Sequence, residues 1–214
     1  LSAVEECHKG FLDPKRLFLR SVDLIITERC SLKCRDCSNL MQYYSSPKNL
    51  SFEEIVQDFD RLMASVDHIF EIRLIGGEPF MNKEIYRVLE HIITTPNLSR
   101  VVIYTNAMVP INSKHAALLR DKRIVFSITN YGQLANRTSE VISQIDDLGI
   151  NYRQSPPVNW TDSGTILSKK ISAASAQDLF EKCCGKNLLT LSDGKLYRCP
   201  FAANGERLGA FSSE

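Results

Sequence analysis

"FEIRLIGGEPFMNKEIYRVLEHIITTPNLSRVVIYTNA", residues 70–107, sets the fold class. "FEIRLIGG" is a short apolar run that stops at two glycines, "KEIYRVLEHIITT" reads as a helix, and "RVVIYTNA" is a second apolar run. Strand, helix, strand in that order argue for a βαβ unit and a parallel sheet.

The same alternation extends both ways. Upstream, "VDLIIT" (Val22 to Thr27) is a strand that ends just before a cysteine-rich loop. "SFEEIVQDFDRLMASV" follows, with Ser51 and Glu54 at capping-box spacing and Ile55, Phe59, Leu62 and Met63 at helical spacing. Downstream come a helical "SKHAALLRD", a strand "RIVFSITN", a helix "TSEVISQIDDLGI" closed by Gly149, and a strand "NYRQS". Parallel sheets place reactive residues in the loops after their strands, and the cysteine loop, "GGEP", "TNA" and "SITN" all fall there.

From about Val158 the pattern changes to the polar, irregular "VNWTDSGTILSKK". After a helical "AQDLFEKC", the segment "NLLTLSDGKLYRCP" places alternating runs on both sides of Asp193-Gly194, a β-hairpin signal. The expected division is a leader over 1–20, a core over 21–157 and a small segment over 158–214. The chain begins at Leu1 rather than Met and reads as a processed or trimmed piece of something longer.

Composition excludes several classes. The 214 residues carry 26 basic and 25 acidic side chains, well interspersed, which gives no case for nucleic acid or an anionic membrane as partner. No run approaches the roughly 18 apolar residues of a membrane span. Seven cysteines are an odd number, and three of them crowd one loop without an export signal ahead of them. That usage points to metal or cluster ligands in a reducing, cytoplasmic setting.

Those three are Cys30, Cys34 and Cys37 in "CSLKCRDC", separated by three and two residues. Zinc prefers four ligands, commonly as spaced cysteine pairs, so a lone trio without a histidine suits it poorly. Iron–sulfur clusters are thiolate-bound too, and one held by only three cysteines leaves an iron open to another ligand. Lys33 and Arg35 keep the loop polar. In "LIGGEP", Gly76 and Gly77 permit close backbone approach, Glu78 offers a carboxylate to an ammonium, and Pro79 stiffens the turn.

The CxxxCxxC loop after a first strand, with "GGEP" after a second, resembles the radical S-adenosylmethionine (radical SAM) enzymes. The resemblance implies an α/β fold: a partial (β/α)6 TIM-like barrel with a small C-terminal Fe–S-binding β-hairpin extension. It implies a [4Fe–4S] cluster on Cys30, Cys34 and Cys37 whose open iron takes S-adenosylmethionine. It further implies SAM contacts from Gly76, Gly77, Glu78 and Pro79, from Thr105 and Asn106, and from Ser127 with Arg137, ten residues later. One departure is Asp36, where that family commonly has an aromatic residue before the last cysteine.

"CCGKNLLTLSDGKLYRCP" resembles the start of a SPASM or twitch extension, which implies an auxiliary iron–sulfur cluster near Cys183, Cys184 and Cys199. No cysteine follows Cys199, so a longer chain, both adjacent cysteines, or a non-cysteine ligand would have to complete it. Neighbouring side chains on a strand face opposite ways, a constraint that relaxes at a helix end, so Cys183 and Cys184 both stay open. Cys7 stands apart, the histidines show no ligand spacing, and Tyr131 and Trp160 are aromatics that could touch a substrate or simply pack.

The family resemblance implies an external one-electron donor, flavodoxin- or ferredoxin-like, and reductive cleavage of SAM to a hydrogen-abstracting 5′-deoxyadenosyl radical. The expected substrate is a small polar molecule such as a sugar or amino sugar; an auxiliary cluster, if present, could accept an electron and make the net reaction an oxidation, or could instead bind or position the substrate. Peptide modification, non-catalytic Fe–S electron transfer and a zinc-stabilised binding module are the competing readings.

Overall fold

In the computed structural model, residues 2–155, 166, 170–183 and 185–211 are described. The elements run α1 (Ser2–Leu12), β1 (Phe18–Thr27), α2 (Phe52–Ser65), β2 (His68–Gly76), α3 (Ile85–Ile92), β3 (Leu98–Thr105), a short α4 (Ala116–Leu119), β4 (Ile124–Thr129), α5 (Thr138–Asp147), β5 (Tyr152–Ser155), α6 (Ala173–Lys182), β6 (Thr190–Ser192), β7 (Lys195–Tyr197) and α7 (Pro200–Arg207).

The strands form one seven-stranded sheet in the order β5-β4-β3-β2-β1-β6-β7. All neighbours pair in parallel except β6 with β7. This is the parallel-dominated α/β sheet expected of a partial TIM-like barrel. The α2 helix begins as anticipated: Ser51 accepts from the Glu54 amide while the Glu54 carboxylate accepts from the Ser51 amide, 2.7 Å away.

Alternation along each strand separates two faces. Val22, Leu24 and Ile26 of β1, with Ile72, Leu74, Ile103 and Phe126, join Phe59 of α2, Val88 and Leu89 of α3 and Ile145 of α5 in the main core. Burying such side chains contributes about 1.5–3 kcal/mol each. The opposite face carries Asp23, Ile25, Arg73, Ile75 and Tyr104, and all of these but Ile25 line a cavity. A charged pair on that face is affordable only because the cavity, not a helix, covers it.

Three features differ from the sequence reading. The stretch read as a leader contains α1, and β1 starts at Phe18 rather than near Val22, because Arg20 and Ser21 interrupt the apolar run without ending the pairing with β2. The Asp193-Gly194 hairpin forms, with both residues left-handed (φ 51° and 71°), yet it is part of the main sheet: β6 pairs with β1 through Asp23↔Thr190 and Leu24↔Leu191. The helix read over "SKHAALLRD" is a 3-10 turn and four α-helical residues.

Arg207 fixes the hairpin to the start of the cysteine loop. Its guanidinium reaches the Glu28 carboxylate at 2.5 Å, Asp193 at 2.7 Å and the Ser192 hydroxyl at 3.0 Å, and the Arg207 and Glu28 side chains are 8% and 7% exposed. Arg207→Ala strands the buried Glu28 carboxylate. Urea unfolding of that variant should show a loss of about 3–5 kcal/mol; an unchanged midpoint would mean the contact holds nothing.

Candidate functional site

The site is built where β1, β2 and β3 end. Past Thr27 the chain enters the cysteine loop, and the turn after β2 lies directly on its backbone. The Gly77 amide donates to the Thr27 carbonyl (3.0 Å) and the Glu78 amide to the Arg29 carbonyl (2.7 Å). A Cβ on Gly76 would run into the Thr27 carbonyl oxygen, and one on Gly77 into that of Arg29. Gly76 also sits at φ 134°, a conformation that side chains oppose. Both glycines are required by close approach of one backbone to another.

Glu78 is fully buried. Its carboxylate accepts from the Thr105 hydroxyl and the Asn106 amide, each at 2.8 Å, and from the Phe80 amide at 3.3 Å. It therefore ties the end of β2 to the end of β3. Burial pushes its carboxyl up to about 7, against the pull of these three hydrogen bonds. Pro79 opens the 3-10 turn Pro79–Met81 and is buried as well. Asn106 reaches the other way, its amide group lying 3.1 Å from the Ser31 hydroxyl and 3.8 Å from the Cys30 sulfur.

Cys30, Cys34, Cys37, Gly76, Gly77, Thr105 and Asn106 line a cavity of about 840 Å³. Cys183, which caps α6, and Cys199, at the start of α7, line the same cavity from the far side. Gly185 lies between those two sulfurs: a Cβ there would be 3.7 Å from Cys183 and 3.6 Å from Cys199. Glu78 and Pro79 stand behind the cavity wall rather than in it.

Ser127 is buried at the end of β4, but its expected arginine partner is not the one beside it. Arg137 precedes α5 and pairs with Glu140 at 3.0 Å, outside the cavity lining. Its side chain is drawn along its own helix. The arginine that meets Ser127 is Arg153 of β5, whose guanidinium donates to the Ser127 hydroxyl and the Tyr104 hydroxyl at 3.2 Å each. The β4–β5 register sets Ser127 opposite Arg153. Tyr131 lines the cavity, whereas Trp160 and Cys184 lie outside the described residues. Sequence reasoning also passed over Asp23 and Arg73; the available signal was one charge in each of two apolar strands, "VDLIIT" and "FEIRLI".

The donor set suits an iron–sulfur cluster. Among the described residues no three His, Cys, Asp or Glu side chains converge closely enough to hold a single metal ion. The three loop thiols open instead onto a shared space, as a multinuclear group requires. Burial, together with the charges of Glu78, Cys37 and Cys34, pushes the Cys30 thiol up to about 11, and burial raises Cys34 too. Thiols so placed ionise readily only with a cationic centre among them. The glycine ledge and Asn106 leave polar backbone and amide groups facing the same space.

Comparison with known proteins agrees. The family model of the Radical SAM superfamily matches residues 24–137. A protein named GTP 3′,8-cyclase from Clostridium acetobutylicum is 30% identical over 177 residues, covering 74% of this chain and 52% of that protein. Molybdenum cofactor biosynthesis protein moc-5 from Caenorhabditis elegans is 34% identical over 86 residues, 39% of this chain and 14% of that protein. The chain thus spans about half the length of the first of these relatives and less of the second. Among solved structures, BtrN in complex with AdoMet and 2-DOIA superposes with a TM-score of 0.60 at 16% identity, over 87% of this chain and 75% of that one. Streptococcus suis SuiB bound to S-adenosylmethionine superposes with a TM-score of 0.50 at 15% identity, over 89% and 44%. At those identities the two structures speak for the fold alone.

The raised Glu78 carboxyl has a measurable consequence. Unfolded, it titrates near 4.5, and folded, near 7, so between these values the folded cofactor-free protein holds the extra proton. The stabilisation is complete below about pH 4.5 and is lost as pH rises to about 7, by roughly 3 kcal/mol at about 1.4 kcal/mol per pKa unit. Glu78→Gln should flatten most of that slope in unfolding curves taken across the range. Asp23, raised by burial to about 6, leaves a smaller slope of the same sign. An unaltered slope in the variant would refute the assignment.

Proposed function

The chain belongs to the radical SAM superfamily, and we propose that it is an enzyme that binds a [4Fe–4S] cluster through Cys30, Cys34 and Cys37 and S-adenosylmethionine against the Gly76-Gly77 ledge, to act on a small polar substrate. Members of this family use that cluster and that nucleoside as cofactors. The observation that carries the site reading is the joining of the cysteine loop to the glycine turn by two backbone hydrogen bonds. It brings the three thiols and the ledge into one cavity.

When bound, the cluster and the nucleoside supply a one-electron reduction and the hydrogen-abstracting power that follows from it. The chain's own part is to bind and to orient. The three thiols hold the cluster, and the ledge offers backbone groups to the amino-acid end of S-adenosylmethionine. Glu78, behind the ledge, adds negative charge toward that end's ammonium while holding Thr105 and Asn106 in place. Asn106 steadies Cys30, and Ser127 with Arg153 replaces the expected pairing of Ser127 with Arg137 on the nucleoside side. Tyr131 and the apolar wall of Leu32, Met41 and Leu188 keep water from the reacting centre.

Cys183 and Cys199, with Cys184 available beside them, are proposed as ligands of an auxiliary cluster in a twitch-like segment over 158–214, following a core over 21–157 and a lead-in over 1–20. Such a cluster would draw an electron from the substrate and make the net reaction an oxidation. A cavity of this size suits a nucleoside plus a molecule no larger than a sugar or amino sugar. The relatives named GTP 3′,8-cyclase favour a second reading, a ring closure on a nucleotide. An external flavodoxin- or ferredoxin-like protein would deliver the electron in a reducing cytoplasm. No described helix is long and apolar enough to cross a membrane.

Protein reconstituted anaerobically with iron and sulfide, then given dithionite and S-adenosylmethionine, should yield 5′-deoxyadenosine. Cys34→Ser should cut that yield at least a hundredfold and remove the cluster's reduced EPR signal. Product formed at the wild-type level by the variant would remove Cys34 from the ligand set. Amino sugars and GTP offered in parallel, with deuterium followed into 5′-deoxyadenosine, decide between the two substrate readings.

A further inference from the structure

The face of the sheet beneath the cysteines carries charges that cluster and nucleoside binding do not use. Asp23 and Arg73 are direct partners in the β1–β2 register, and Arg73 Nε lies 2.6 Å from Asp23 Oδ1. Both side chains are largely buried, 5% and 15% exposed, and both line the cavity. Asp23 has further support from the Thr190 hydroxyl at 3.5 Å. Arg73 is less fully matched: beyond its Nε contact with Asp23, its Nη2 is buried without a hydrogen-bond partner. Burying a guanidinium, with its five donors, in this condition at a cavity wall is costly unless something arrives to accept from it.

Tyr104 extends the same patch. The Arg73 guanidinium lies 6.0 Å from the centre of its ring, and Arg153 donates to its hydroxyl from the other side. Among the described residues Arg153 has no carboxylate within ion-pair range. Arg153 is exposed and does not line the cavity, so Arg73, with Asp23 as its carboxylate, is the guanidinium that the cavity presents beside Tyr104.

Resting on the reading of the cavity as the substrate site, we propose that Asp23, Arg73 and Tyr104 form its anchoring end and that Arg73 with Tyr104 recognises an anionic oxygen group, a phosphate or a carboxylate, on the substrate. Arg73 is the principal donor, because planar guanidinium matches such groups in a two-pronged manner. Asp23 is a positioning residue: it holds Arg73 at the wall and offsets part of its charge, which keeps the empty site from binding any passing anion tightly. The Tyr104 hydroxyl, held by Arg153 from outside the lining, supplies the second approach. Anionic substrates would so be held at the sheet floor, with their unreactive end fixed and the remainder directed toward the glycine ledge.

The test is titration calorimetry on the reconstituted protein saturated with S-adenosylmethionine, so that the nucleoside's own anion site is already filled. Pyrophosphate and succinate are the probes, and their relative affinities separate a phosphate site from a carboxylate site. Wild type should bind at least one of them. Arg73→Gln should weaken that binding tenfold or more, and Asp23→Asn should tighten it severalfold by removing the competing charge. Arg87→Gln, a surface change far from the cavity, should leave it alone. Because Arg73→Gln strands the Asp23 carboxylate, the double variant carrying Asp23→Asn as well provides a neutral pair that still lacks the guanidinium, and it too should bind weakly. Failure of both probes to bind, or weaker binding by Asp23→Asn, overturns the proposal. Formation of 5′-deoxyadenosine by the same preparation is scored separately. If it forms and neither anion binds, only the anchoring site fails; if an anion binds as expected and none forms, only the enzymatic reading fails.

Discussion

Everything at this site depends on two backbones touching. The turn after β2 comes so close to the loop after β1 that no side chain fits between Gly76 or Gly77 and the carbonyls it faces. That approach fixes the distance between the loop thiols and the ledge, and through Glu78 it also fixes β3. Glu78 is a buried carboxylate with three donors, and its position makes sense as a brace first. A brace with a carboxyl poised near neutrality responds to a neighbouring cation, because an arriving ammonium favours its charged form.

The two faces of the sheet divide the labour. One is a continuous apolar layer under α2, α3 and α5 and supplies the stability. The other holds the Asp23–Arg73 ion pair, which would be unfavourable in an ordinary core and is tolerated because a cavity lies over it. The hairpin and α7 are joined to this arrangement at two places, by strand pairing with β1 and by Arg207 on Glu28. The second of these lies two residues before Cys30. A contact made late in the chain thus steadies the loop that opens it.

Much of this is legible in the sequence. Strand and helix alternation, the Ser51–Glu54 capping box and the Asp193-Gly194 turn are local patterns whose physics is complete within a few residues. The grouping of the cysteine loop with Gly76 and Gly77 followed from their shared position after strands. What escaped depended on register or on competition. Arg137 has the expected spacing from Ser127, but Glu140, one helical turn on, captures it. Arg153 takes the place through pairing of β4 with β5, which no spacing along the chain reveals. Asp23 and Arg73 each look like a lone charge in an apolar strand until the strands are set side by side.

The position of β6 has a consequence for how the molecule is made. Until β6 arrives, β1 has an unpaired outer edge, and the partner that closes it, at Thr190, is synthesised 167 residues after Asp23. In a growing chain β1 therefore stays open on one side until β6 follows, a situation that favours edge-to-edge association between chains. The cysteine loop hangs from that same strand. The edge that β6 closes is thus also the support from which the three thiols are hung.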